Sequence, residues 1–91
     1  MIICVIKDSL VESYHVPVFC ANAAVAIRIF ATECNRAAAD NPIFTNRGDF
    51  DLLKIGEYYE ESGTLIPCDP VVLAHGRDVP RPERDMAVWP C

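Results

Sequence analysis

The stretch Asn22 to Arg36, NAAVAIRIFATECNR, constrains the fold more than any other, because it alone combines a clear helical period with a start signal. Asn22 is a good N-cap: its side-chain oxygen accepts from the free N–H groups of a first helical turn. Ala23, Ile27, Phe30 and Cys34 recur at i, i+4, i+7 and i+11 and draw one apolar stripe. Arg28, Thr32, Asn35 and Arg36 fall on roughly the opposite side. The run contains no Gly or Pro and is rich in alanine, the strongest helix former. The spacing predicts one amphipathic helix, extended a turn by Ala37 to Asp40. Asn41-Pro42 should end it, since the residue before proline avoids the α region.

The flanking chain reads as strands. Met1 to Lys7 is short, rich in Ile and Val, and stops at the turn formers Asp8-Ser9. Tyr14 to Cys20 is its expected hairpin partner. Pro17 has no N–H for a ladder, which places this strand at an edge. After a loop from Ile43 to Asp49, Phe50 to Tyr59 reads as a third strand. Gly56 within it marks a bulge or the close approach of another backbone. Glu60 to Gly63 reads as a tight turn, and Thr64 to Cys68 as a fourth strand. The expected fold is therefore α+β: a small antiparallel sheet in ββαββ order with the helix packed on one face, followed by a proline-rich C-terminal tail. Five of the seven prolines lie from Pro67 onward. The expected domain spans residues 1–76 and the extended tail 77–91, with Val71 to Ala74 forming a short strand or helical turn between them. Trp89 in the tail either packs back on the domain, the favoured reading, or anchors a partner.

With 91 residues and 52% hydrophobic content, the chain is one small domain and too apolar to be disordered. No apolar run approaches the roughly 18 residues of a membrane span, and the basic flank of a signal peptide is missing, so an intracellular, non-membrane protein is expected. The net charge of −5 argues against a broad phosphate-binding surface. Cys4, Cys20, Cys34, Cys68 and Cys91 form no C-x-x-C pair, and their odd number suits no closed disulfide framework. They read as reduced, mostly buried thiols acting as small hydrophobes, with Cys91 exposed.

Motifs that carry chemistry are scarce. His15 and His75 lie near no cysteine in a recognisable pattern, so no nucleophile-base pair and no enzyme are expected. Asp49/Asp51 and Glu60/Glu61 fall short of the six or so oxygen ligands of a cation site and read as solvated turn charges. No metal or other cofactor is expected. The best nucleic-acid candidates are Lys7, Arg28, Arg36, Arg47 and Lys54, with Tyr58 as a stacking partner. Glu33, Glu57, Glu60 and Glu61 dilute their field. Val25 and Ile29 lie off the main helical stripe, and the small core leaves further apolar surface, so a homodimer is expected, with Val25, Ile29, Phe19 and Trp89 as its candidate contacts.

Three ordered stretches, KDSLVESYHVPVF, NAAVAIRIF and NPIFTNRGDFDLLKIGEYYEESGTL, together resemble the small nonstructural protein of gokushoviruses, single-stranded DNA bacteriophages of the Microviridae. The likeness rests on Asp8-Ser9, Pro17-Val18-Phe19, Ala26-Ile27-Arg28-Ile29-Phe30, Ile55-Gly56-Glu57-Tyr58 and Ser62-Gly63, and covers about residues 1 to 75. Lys7 stands where that family carries an aromatic residue, and the tail from Arg77 follows no family pattern. The resemblance implies a product of the infected bacterium's cytoplasm, absent from the virion, that binds nucleic acid or assists replication or packaging. Single-stranded DNA is the implied ligand. The alternative is a homodimeric adaptor for the phage replication initiator or a host replication protein. The resemblance supplies no catalytic residues.

Overall fold

The computed structural model describes residues 1–81. Strand β1 (Ile2–Asp8) lies at the centre of an antiparallel sheet. It pairs along its whole length with β4 (Phe50–Tyr59), from Ile2↔Glu57 to Asp8↔Phe50. β4 in turn pairs with β5 (Thr64–His75) through the turn at Glu60 to Gly63. The other edge of β1 is shared by two short pieces, β2 (Ser13–Tyr14) and β3 (Val18–Cys20). Together they make one broken edge strand. His15 keeps one bond, N–H to the Ile6 carbonyl at 2.8 Å, and Pro17 has no N–H to add.

This arrangement corrects the expected fold class. The described residues form not a ββαββ unit with a proline-rich tail but a sheet-dominated fold of five strands and one main helix. The second expected strand divides in two at Pro17. The fourth runs on to His75, through Pro67 and Pro70, because β5 is the outer strand and its outward N–H groups are dispensable. Of residues 77–91, the first five are described. Residues 76–78 form a 3-10 turn, and Val79 packs against the core. Residues 82–91 lie outside the described residues.

Helix α1 (Ala23–Cys34) starts at Asn22, whose side chain accepts from the Val25 N–H at 3.0 Å. Its buried residues are Ala26, Phe30 and Cys34. The stripe is thus rotated from the sequence expectation: Ala26 takes the sheet-facing place given to Ile27, which is 37% exposed. A methyl group at that point lets the helix approach the sheet closely. The core beneath it joins Cys4 and Ile6 of β1, Phe50 and Leu52 of β4, and Cys20 of β3. Cys4, Cys20 and Cys34 are free and buried, and Cys68 is free and exposed. Burial, with the Cys20 thiol beside it, pushes Cys4 up to about 11. Burial also raises Cys34.

The helix stops at Cys34 rather than running on to Asp40. Asn41 is buried and bridges the break: its amide donates to the Glu33 and Arg36 carbonyls, both at 3.0 Å, while its oxygen caps the short helix α2 (Pro42–Thr45). Two glycines permit close backbone contacts. A Cβ on Gly56 would stand 2.8 Å from the Ile66 carbonyl, beside a register shift in the β1–β4 ladder. A Cβ on Gly76 would collide with the Arg47 carbonyl at 2.1 Å. Among the described residues no helix is long and apolar enough to cross a membrane.

Candidate functional site

Alternation along β1 sends Cys4 and Ile6 toward α1 and sends Ile3, Val5 and Lys7 to the opposite, outer face. Directly opposed residues of neighbouring strands share a face, so the register defines what stands beside them. Tyr14, Lys7, Asp51 and His75 form one row across β2, β1, β4 and β5. The Lys7 ammonium lies 5.6 Å from the Tyr14 ring centroid, within cation–π range. His75 Nδ1 lies 2.8 Å from Asp51 Oδ1.

At the other end of this face, Phe19 is paired with Ile3 and meets Tyr58 edge to face, with ring centroids 5.4 Å apart at 83°. Between the two ends run Val5, Leu53 and the half-exposed Val72. The outer face thus presents three aromatic side chains, of which Phe19 and Tyr14 are about half exposed. One cation stands among them. This is a surface suited to stacking flat rings, and its aromatics are held by strands rather than by loops.

The structure divides the expected nucleic-acid residues. Lys7 and Tyr58 share the outer face. Arg28 and Arg36 belong to the helical side, and Arg36 is bound to Glu33 at 2.8 Å. Hydrogen bonding from Arg36 holds the Glu33 carboxyl below its ordinary range. Lys54 faces the helical side opposite Cys4 and pairs with Glu57 at 3.0 Å. Glu57 is lowered by hydrogen bonding from Lys54 and Tyr59.

Arg47, expected among the nucleic-acid candidates, is buried in this fold. It is 9% exposed, and its guanidinium donates to the carbonyls of Gly76, Cys34 and Val79 and to Asn35 Oδ1. It ties β5's exit to the C-terminus of α1, where carbonyls without helical partners favour a cation. The expected self-association residues are also separated. Val25 and Ile29 lie on the helix, Phe19 lies on the outer sheet face, and Trp89 lies outside the described residues.

Tyr14 and the His75–Asp51 pair went unrecognised in the sequence as parts of a site. The Lys7–Tyr14 pairing was accessible from the hairpin register. The His75–Asp51 contact joins residues 24 apart and depends on how far β5 continues, for which no local signal exists. Among the described residues, no group of three or more His, Cys, Asp or Glu side chains is placed to hold a metal ion.

A family model described as Phage ORF5 protein matches residues 1–79. No curated protein and no solved structure matches the chain.

Proposed function

The chain belongs to the phage ORF5 protein family, and from that premise we propose that it is a nonenzymatic, nonstructural accessory protein of a gokushovirus-like phage that binds single-stranded DNA in the cytoplasm of the infected bacterium. The observation that carries this reading is the aromatic outer face, with Tyr14, Phe19 and Tyr58 displayed on three strands. Bases stack on aromatic side chains with about 1–3 kcal/mol per base and little regard for sequence. Single strands offer exposed bases, whereas duplex DNA keeps them stacked internally.

The charge distribution fits a particular kind of binding. Of the five basic residues singled out in the sequence, only Lys7 lies on this face. Counterion release contributes a slope of about −0.7 per neutralised phosphate for single strands, so the salt dependence of affinity should be shallow. Binding of this kind relies on stacking and is compatible with a net charge of −5.

A second reading uses the same surface. Phe19, Leu65 and Val72 are 50%, 57% and 46% exposed there, which also suits a homodimer or an adaptor for a replication initiator or host replication protein. Fluorescence polarisation with labelled single-stranded and duplex oligonucleotides, at low and moderate salt under reducing conditions, separates the two. The DNA reading expects single-strand preference, a shallow salt slope, and a loss of about 1–3 kcal/mol on Phe19→Ala. Absence of binding at low salt overturns it and favours the adaptor. Sizing across a concentration series then tests for the dimer.

A further inference from the structure

Cys4 and Cys20 share the inner face of the sheet on neighbouring strands, β1 and β3. The register sets Ile2 opposite Cys20 and Cys4 opposite Val18, so the two cysteines stand on a diagonal, two positions out of step. Both are free thiols, 0% and 6% exposed, and the Cys20 thiol lies beside that of Cys4. They belong to the floor of an apolar cavity of about 200 Å³ between α1 and the broken edge strand. Its rim is formed by Val16, Val18 and Ile29, all exposed, so the buried pair has an approach from solvent. The cavity lies on the helical side of the sheet, away from the aromatic outer face.

We infer that this dithiol pair is a two-coordinate site for a soft monovalent cation, copper(I), held between β1 and β3. Spacing is the first argument. Diagonal neighbours in an antiparallel pair stand about 7–8 Å apart at Cα. A disulfide takes Cα separations up to about 6.8 Å and sulfurs about 2.05 Å apart, so direct closure would pull the strands out of place. An ion between the sulfurs relaxes that demand. Two metal–thiolate bonds of about 2.3 Å, laid in line, set the sulfurs up to about 4.6 Å apart.

Ligand count is the second argument. Soft thiolates select copper(I), zinc and iron–sulfur clusters. Structural zinc takes four ligands, and an iron–sulfur cluster takes four cysteines or their replacements. Among the described residues no third His, Cys, Asp or Glu stands with this pair. Copper(I) is the member of that group satisfied by two thiolates in line. Binding exchanges two S–H bonds for two Cu–S bonds and releases two protons, with no change of oxidation state. The complex carries one net negative charge. Lys54 stands opposite Cys4 in the β1–β4 ladder and favours that charge, while Glu33 at the cavity is already held by Arg36. Buried Cys4 ionises poorly alone, so it is the cation that draws off its proton.

The test uses the full chain with Cys68→Ser and Cys91→Ser, which removes two competing thiols. It is titrated anaerobically with copper(I) against the chelator bicinchoninate. One ion per chain should be retained, with two protons released. X-ray absorption at the copper edge should show two sulfur neighbours and no nitrogen. Cys20→Ala should abolish retention, while Cys34→Ala leaves it unchanged; if Cys20→Ala fails to fold, the X-ray absorption of the intact site decides. Loss of the ion to the chelator overturns the inference, as does a third sulfur or a nitrogen neighbour, or retention that ignores Cys20→Ala. A Cys4–Cys20 disulfide formed readily with glutathione disulfide, found by peptide mapping, also overturns it and makes the pair a redox switch.

Discussion

The two faces of this sheet are built from the same strands, one residue out of step, and they end in opposite conditions. On the inner face Cys4 and Leu52 are closed under Phe30 of α1, with exposures of 0%, 3% and 1%. On the outer face Val5 and Leu53 are nearly as buried, yet Phe19 and Val72 beside them remain about half exposed. Period-2 alternation makes both faces apolar here, so alternation alone does not say which one is the core. Helix α1 decides. It covers one face, and the other keeps aromatic and aliphatic side chains in contact with solvent, where they are free to meet a ligand.

The largest test of this contrast is Phe30→Ala. Phe30 is the largest side chain joining helix to sheet, and its removal leaves a void that the surrounding β-strands cannot fill. The expected loss is about 3–5 kcal/mol, read from the shift of a urea unfolding midpoint at unchanged slope. For a chain this small, that is a large part of total stability. A loss below about 1 kcal/mol would mean that the inner face is not the core.

Arg47→Met comes next and tests the corner where the covered side is locked. The substitution keeps much of the apolar stem and removes the donors that serve Gly76, Cys34, Val79 and Asn35. Leaving these acceptors unserved should cost about 2–3 kcal/mol, measured by the same unfolding experiment. Were Arg47 a surface cation for nucleic acid, the change would leave stability nearly untouched and weaken DNA binding instead.

Much of this architecture was legible in the sequence where a signal is local. Asn22 announced the helix start through its capping oxygen, Pro17 announced an edge, and Gly56 announced a close backbone approach. The readings that failed depend on distant partners. Asn41-Pro42 reads equally as the end of one helix and the cap and first residue of another, and only the carbonyls of Glu33 and Arg36 select the second. Pro67 and Pro70 looked like the end of ordered strand because nothing in their neighbourhood says that β5 is outermost. Ile27 appeared to belong to the core because it is larger than Ala26, yet closeness of helix to sheet favoured the smaller residue. At the candidate site, residue type alone singles out Lys7 and Tyr58 for attention. Their common face, and the exclusion of Arg28, Arg36, Arg47 and Lys54 from it, required the register.

The smallest expected effect sharpens the comparison most. Phe19→Ala removes a ring as large as that of Phe30, but one that is 50% exposed and whose aromatic contact is the edge of Tyr58. Losing the half-buried area of Phe19 should cost the monomer about 1 kcal/mol, and losing the edge contact about 0.5–1.5 kcal/mol more; the second part should vanish when Tyr58 is already alanine. A double-mutant cycle on urea unfolding measures that coupling. A loss approaching that of Phe30→Ala, and growing with protein concentration, would show instead that the outer face is buried against a second copy. In that case the open face is half of a dimer core, and the stacking surface proposed for DNA is occupied before any ligand arrives.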